Sequence, residues 1–204
     1  MCGRYHMGDE DKLAELREII DAMNRAGYDG PIATSGEVFP SNVAPVIAPG
    51  RSLKPGVFAM RWGYGLPDGR LVINARSETA KARPLFRDGM AGRRCVVPAS
   101  HYFEWTHDGK VRDKYAIRPA GGGAAWMAGL YRMEQGRPVF AILTRAPSEA
   151  VAFLHDRMPV LLPRELTGDW LDPRRDADEL LAHAIDDVRP ERVAPDTEQV
   201  RMRL

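Results

Sequence analysis

"RCVVPASHYFEW", residues 94–105, reads as extended chain, a run crowded with β-branched and aromatic side chains. Alternation along it sets Glu104 on the face opposite its neighbours Phe103 and Trp105. Similar runs lie on both sides: "VFAMRWGY" (57–64), "RLVIN" (70–74), "KYAIRP" (114–119), "AWMAGLYR" (125–132) and "PVFAILT" (138–144). Short glycine-bearing turns, "PDGR" (67–70), "HDGK" (107–110) and "EQGR" (134–137), join several of them as in antiparallel hairpins. Before this β-rich region, Leu13, Leu16, Ile19, Ile20 and Met23 recur at helical spacing behind an acidic first turn. They predict a helix from Asp9 to about Ala26, ended by Gly27. A Gly-, Pro- and Ser-rich loop (30–45), carrying Asn42 and Pro45, follows it. After Ser148 the chain reads as helical, "MPVLL" (158–162) as one more strand, and 163–171 and 176–185 as helices before a polar tail. There is no internal repeat and no linker long enough to divide the chain. The expectation is one mostly antiparallel α+β domain spanning residues 1–204.

Composition narrows the function classes. Of 204 residues, 44% are hydrophobic and 28% charged, ordinary for a soluble globular chain, and no apolar run approaches membrane-spanning length. Gly8, Asp9, Glu10, Asp11 and Lys12 make the first segment polar, so no secretory signal and a cytoplasmic protein are expected. Two cysteines, Cys2 and Cys95, form no CxxC and support neither a disulfide framework nor a structural zinc. Five scattered histidines lack metal-ligand spacing, so no metal or other cofactor is expected. Net charge is only +1, but Arg outnumbers Lys by 24 to 5. The guanidinium fork suits phosphate, although composition alone is met equally well by a codon bias toward Arg.

Four places could carry chemistry. With Met1 trimmed, Cys2 would bear a free α-amine beside its own thiol. Their reference pKa values, about 7.7–8.0 and about 8.5, leave both nucleophiles usable near neutrality. Such a pair takes an aldehyde first as an imine and then closes a five-membered thiazolidine; the plainer reading of Cys2 is a small buried hydrophobe. Asn74 in "INARSET" is an amide at the apolar end of a strand, able to position an amine or simply to bond its own turn. Glu104 could line a cleft as a proton shuttle with a raised pKa, or face water as ordinary strand glutamates do. In "FLHDRMP", His155 could act as acid or base and Arg157 could hold a phosphate, or His155 could end a helix.

Taken in order, "MCGRY", "NVAP", "RWGY", "INARSET", "RCVVPASHYFEW", "AGLY" and "HDRMPVLL" resemble the SRAP (SOS response-associated peptidase) family of abasic-site processing proteins. The resemblance runs from Cys2 to about Leu162, leaving 163–204 as a helical and tail region. It implies a SRAP-type domain with a barrel-like core and flanking helices. It also implies covalent capture of abasic sites in single-stranded DNA through a thiazolidine on Cys2, shielding the lesion from strand cleavage. By the same resemblance, Asn74 would hold the Cys2 amine and the sugar, and Glu104 would move protons. His155 would assist ring opening, and Arg4, Arg76 and Arg157 would meet phosphates beside the lesion. Asn42 and Pro45 would join the DNA-binding surface, Pro45 from an exposed position, whereas Trp62 is expected in the core. The segment "GLPDGRLV" (65–72) is short and lacks the aromatic residues that would wedge open a duplex end. The implied protein is a monomer that needs no cofactor and works on damaged DNA at the bacterial nucleoid. Two rival readings are a cysteine peptidase built on Cys2, including self-removal of Met1, and a non-catalytic single-strand binder.

Overall fold

The extended runs fold into short strands arranged as two larger sheets and one two-stranded ribbon, Tyr64–Gly65 against Leu71–Val72. The computed structural model describes residues 2–8, 14–25, 30–106 and 112–194. Through the first half the chain runs β1 (Tyr5–Met7), α1 (Ala14–Arg25), β2 (Gly36–Val38), β3 (Val43–Pro49), β4 (Pro55–Trp62), β5 (Tyr64–Gly65), β6 (Leu71–Val72) and β7 (Asn74–Arg76). Next come α2 (Ser77–Ala80), α3 (Pro84–Gly92), β8 (Arg94–Ala99), β9 (His101–Trp105), β10 (Lys114–Pro119), β11 (Ala125–Glu134) and β12 (Arg137–Arg145). It ends with β13 (Met158–Pro159), β14 (Leu161–Leu162), a 3₁₀ turn (Arg164–Leu166), α4 (Thr167–Leu171), α5 (Ala177–Leu181) and β15 (Val188–Arg192).

Five strands close on themselves. β12 pairs in parallel with β4, and β4–β3–β8–β11 then run antiparallel back to β12. A closed ring leaves no unpaired edge, and its centre holds the wholly buried Trp62, Val97, Met127, Phe140 and Ile142. Gly129 lets β11 lie close to its neighbours, since a Cβ there would meet the Cys95 sulfur at 3.0 Å and Ala141 O at 3.1 Å. The second sheet, β15–β10–β9–β1–β2, is antiparallel throughout. The stretch 94–105 serves both: β8 is barrel wall, β9 is the central strand of the second sheet, and only Ser100 separates them.

The α+β class and the barrel-like core agree with the sequence reading, and Trp62 is fully buried as expected, its indole N–H donating to Ile73 O at 3.0 Å. Several local expectations are corrected. The loop at 30–45 contains β2 and the start of β3, and Pro45 is buried within β3 opposite Ala59 rather than exposed. Residues 148–155 form successive turns rather than a helix, their backbone bonds running mostly between residues three apart, Val151 N–H to Ser148 O and Leu154 N–H to Val151 O. The helical pattern at 163–171 divides into a 3₁₀ turn and α4. Part of the polar tail becomes β15, an edge strand on β10. Helices α2 and α3 carried no clear sequence signal. The first turn of the expected N-terminal helix, the "HDGK" turn and residues 195–204 lie outside the described residues.

Candidate active site

Partners directly opposite on antiparallel strands project to the same side of a sheet. Tyr5 faces Tyr102 across β1 and β9, while Glu104 faces Tyr115 and Tyr102 faces Ile117 across β9 and β10. One face of the second sheet therefore carries Tyr5, Tyr102, Glu104, Tyr115 and Ile117. It is largely buried, with Glu104 only 6% exposed. Alternation places His6, His101, Phe103, Trp105 and Lys114 on the other face.

Cys2 lies just ahead of β1 and is wholly buried. Its thiol donates to Arg4 O at 3.6 Å, and its carbonyl accepts a 2.9 Å hydrogen bond from Asn74 Nδ2. Asn74 is set there by β7, which pairs in parallel with β12 so that Asn74 stands beside Ile142. The amide's Oδ1 is buried and has no partner among the described residues, an acceptor in reserve beside Cys2. On the other side, the β1–β9 register continued by two residues sets Gly3 opposite Glu104. Barrel and second sheet thus meet at Cys2, one supplying an amide and the other a carboxyl.

Burial governs the protonation states. It pushes the Glu104 carboxyl up to about 7, opposed by the chain's positive amino terminus and reinforced by the charge of Asp156. Burial likewise pushes the Cys2 thiol far above its ordinary range, and the Glu104 charge adds to the effect. The thiol is therefore protonated at neutral pH, not partly ionised as its reference value suggested. Tyr102 is raised by burial and then by the charges of Cys2 and Glu104, and Tyr5 by burial and then by Cys2. Both phenol oxygens are buried without a partner among the described residues. Sequence reasoning missed these two tyrosines. Their signal was available, since Tyr102 stands two residues before Glu104 and so shares its face.

The segment 151–157 approaches the same face. Asp156 acts electrostatically on Glu104, and Phe153 stands edge-on to Tyr115 with ring centroids 5.5 Å apart. His155 Nδ1 lies 3.1 Å from the Arg157 backbone N–H and 2.5 Å from Asp156 Oδ1. With a proton on Nδ1 it donates to Asp156; without one it accepts from Arg157. Arg157 is held by Glu78 through two bonds of 2.8 and 2.7 Å and by Thr144 O at 2.6 Å. Arg76, at the end of β7, is exposed.

The remaining expected DNA contacts lie elsewhere. Arg4 pairs with Glu37 at 3.0 Å and lies over the rings of Phe39 and Trp105 at 4.3 and 4.9 Å, on the sheet face opposite Glu104. Lys114 reaches Glu37 and the Phe103 ring on that same face. Asn42 caps a turn by accepting the Phe39 N–H at 2.9 Å, and Pro45 belongs to the barrel wall. Among the described residues no group of three or more His, Cys, Asp or Glu is arranged to hold a metal ion, and no helix is long and apolar enough to cross a membrane.

Comparison with known proteins gives a consistent picture. The family described as "SOS response associated peptidase (SRAP)" matches residues 1–200. "Abasic site processing protein YoqW" of Bacillus subtilis is 32% identical over 189 residues, covering 85% of this chain and 81% of the relative. "Abasic site processing protein YedK" of Escherichia coli is 30% identical over 179 residues, covering 84% and 79%. A solved structure of a protein from Bacteroides thetaiotaomicron superposes with a TM-score of 0.73 at 22% identity, over 97% of this chain and 94% of the other, and so shares the fold.

Proposed function

The chain belongs to the SOS response associated peptidase (SRAP) family, and from that premise we propose that it processes abasic sites in DNA, capturing the lesion in a single strand as a thiazolidine on Cys2. The observation that carries this reading is the company Cys2 keeps: Asn74 on its carbonyl at 2.9 Å and a Glu104 carboxyl poised at about 7.

Capture requires removal of Met1, so that amine and thiol stand on neighbouring carbons of Cys2. An abasic deoxyribose opens to an aldehyde at C1′, with His155 assisting the proton transfer. The amine adds to that carbon, and Glu104 protonates the carbinolamine hydroxyl, which leaves as water and yields a protonated imine. The thiol then adds to the same carbon, its proton returns to Glu104, and the C=N bond becomes a single bond. One water is released and the carboxyl ends as it began. A carboxyl half protonated near neutrality serves both steps. A thiol that stays protonated until the imine exists suits this order and counts against a thiolate-first peptidase. Ring closure also removes the imine, which would otherwise acidify the neighbouring carbon and permit strand cleavage by β-elimination. Asn74 Oδ1 accepts from the Cys2 amine and holds its lone pair toward the aldehyde, converting a bimolecular encounter into an intramolecular one.

Arg76 binds a phosphate directly, while Arg4 and Arg157 do so by exchanging Glu37 and Glu78 for phosphate oxygens. Each phosphate neutralised adds about −0.7 to the salt slope of binding on single strands. Asn42 supports the surface by fixing the turn that carries Phe39, and the protein acts as a monomer. The test is an oligonucleotide bearing one abasic site, incubated with the protein and resolved on a denaturing gel. A heat-stable shifted band is expected for wild type and none for Cys2→Ala or for lesion-free DNA. A shift confined to native gels, or peptide hydrolysis with unshifted DNA, would replace this reading with simple binding or peptidase action.

A further inference from the structure

Phe153 has no part in the chemistry above, yet it is an aromatic ring left 57% exposed. A single exposed apolar side chain is ordinary; its position is what calls for a reason. The ring meets Tyr115 edge-on, 5.5 Å between centroids and 85° between planes. Tyr115 stands directly opposite Glu104 across β9 and β10 and projects to the same side. Phe153 precedes His155 by two residues, and the charge of Asp156 reaches Glu104. Contact, register and electrostatics thus agree that this ring borders the Glu104 face. The turns at 148–155 hold it there, with Val151 and Leu154 buried beneath.

We infer that Phe153, backed by Tyr115, is a stacking ledge for the nucleobase next to the lesion. This rests on the function proposed above and names a specificity element of that site. An abasic position removes one base from the stack, so the neighbouring base loses a partner on one side. A rigid aromatic with open surface beside the reacting carbon replaces that partner. Every base has a π-face, so the contact is indifferent to sequence, as suits a lesion arising anywhere. It also anchors the strand on the side of the site remote from Arg4, which lies on the opposite sheet face.

The experiment measures single-turnover crosslinking at subsaturating DNA with two oligonucleotides. Both carry one reactive abasic site; in the second, the adjacent nucleotides on either side are base-free tetrahydrofuran spacers. On the first, Phe153→Ala is expected to slow capture about tenfold, in the range of one lost base–aromatic stack, and Phe153→Trp to restore it. On the second, wild type falls to the level of Phe153→Ala, and the two proteins agree within about twofold. Wild-type rates from Phe153→Ala on the base-bearing strand overturn the ledge while leaving the capture chemistry intact. Equal slowing on both strands also overturns it, for the ring would then act through His155 rather than on a base. A wild-type protein that crosslinks neither strand overturns the function beneath.

Discussion

The two cysteines are equally buried, at 0% exposure, yet they inhabit different chemical worlds. Cys95 sits in the barrel wall with its sulfur against the bare Cα of Gly129, and its thiol is raised by burial alone. Its backbone carbonyl takes the Trp170 indole N–H at 2.9 Å, fastening α4 to the barrel. Cys2 is raised by burial as well, but the Glu104 charge contributes and the Asn74 amide grips its carbonyl. Cys95 also neighbours phenols, those of Tyr5, Tyr64 and Tyr131, but no carboxylate contributes to its raised thiol; around Cys2, Asn74 Oδ1 and the phenols of Tyr5 and Tyr102 are polar atoms without partners among the described residues. Burial of a thiol therefore says little about its purpose. Polar capacity left unspent around it says more, because a fold that needed only packing would not retain that cost.

The largest expected effect sharpens this contrast most. Cys2→Ala abolishes covalent capture, whereas Cys95→Ala leaves the yield on a denaturing gel within about twofold; parity between the two variants would erase the distinction. Cys2→Ser keeps the amine and loses ring closure, so its adduct survives heating only after borohydride reduction. Glu104→Gln comes next, slowing capture by about 10²–10⁴, the usual worth of a general acid–base. A thermal melt gives that variant a second readout. The folded pKa of Glu104, about 7, exceeds its reference of 4.5, so its burial costs nothing below the lower value and the full amount above the higher. The glutamine protein should therefore match wild type at pH 4 and grow more stable than it between pH 4.5 and 7. Asn74→Ala removes one hydrogen bond, worth about 1 kcal/mol net or up to about 3 where a buried partner is stranded, and capture slows about ten- to a hundredfold. The smallest functional effect belongs to Cys95→Ser, which loses about 1–3 kcal/mol of unfolding free energy to an unsatisfied buried hydroxyl and crosslinks normally once folded.

Much of the site was legible because its residues lie within short, ordered motifs. Alternation alone placed Glu104 opposite Phe103 and Trp105, and the sheet registers agree. The barrel was partly legible, since its strands read as strands, but its closure rests on the parallel pairing of β12 with β4, which local pattern does not encode. Pro45 misled because proline is usually confined to turns and edges. Here it lies inside β3, in the closed wall. Arg4 and Arg157 are expected to meet phosphates; what local sequence does not encode is that each holds a carboxylate, Glu37 or Glu78, over thirty residues away in the chain.

By itself, then, the sequence determined which residue types stand at which motif positions, the extended character of most segments and the presence of a thiol beside the first removable residue. Only the tertiary structure decided which of two buried sulfurs a carboxyl reaches, which face of the second sheet turns toward it, and how far Glu104 shifts. The reason is physical. Backbone preference and side-chain alternation act over a few residues, whereas desolvation and hydrogen-bond partnership depend on groups brought together from β1, β7 and β9, far apart along the chain.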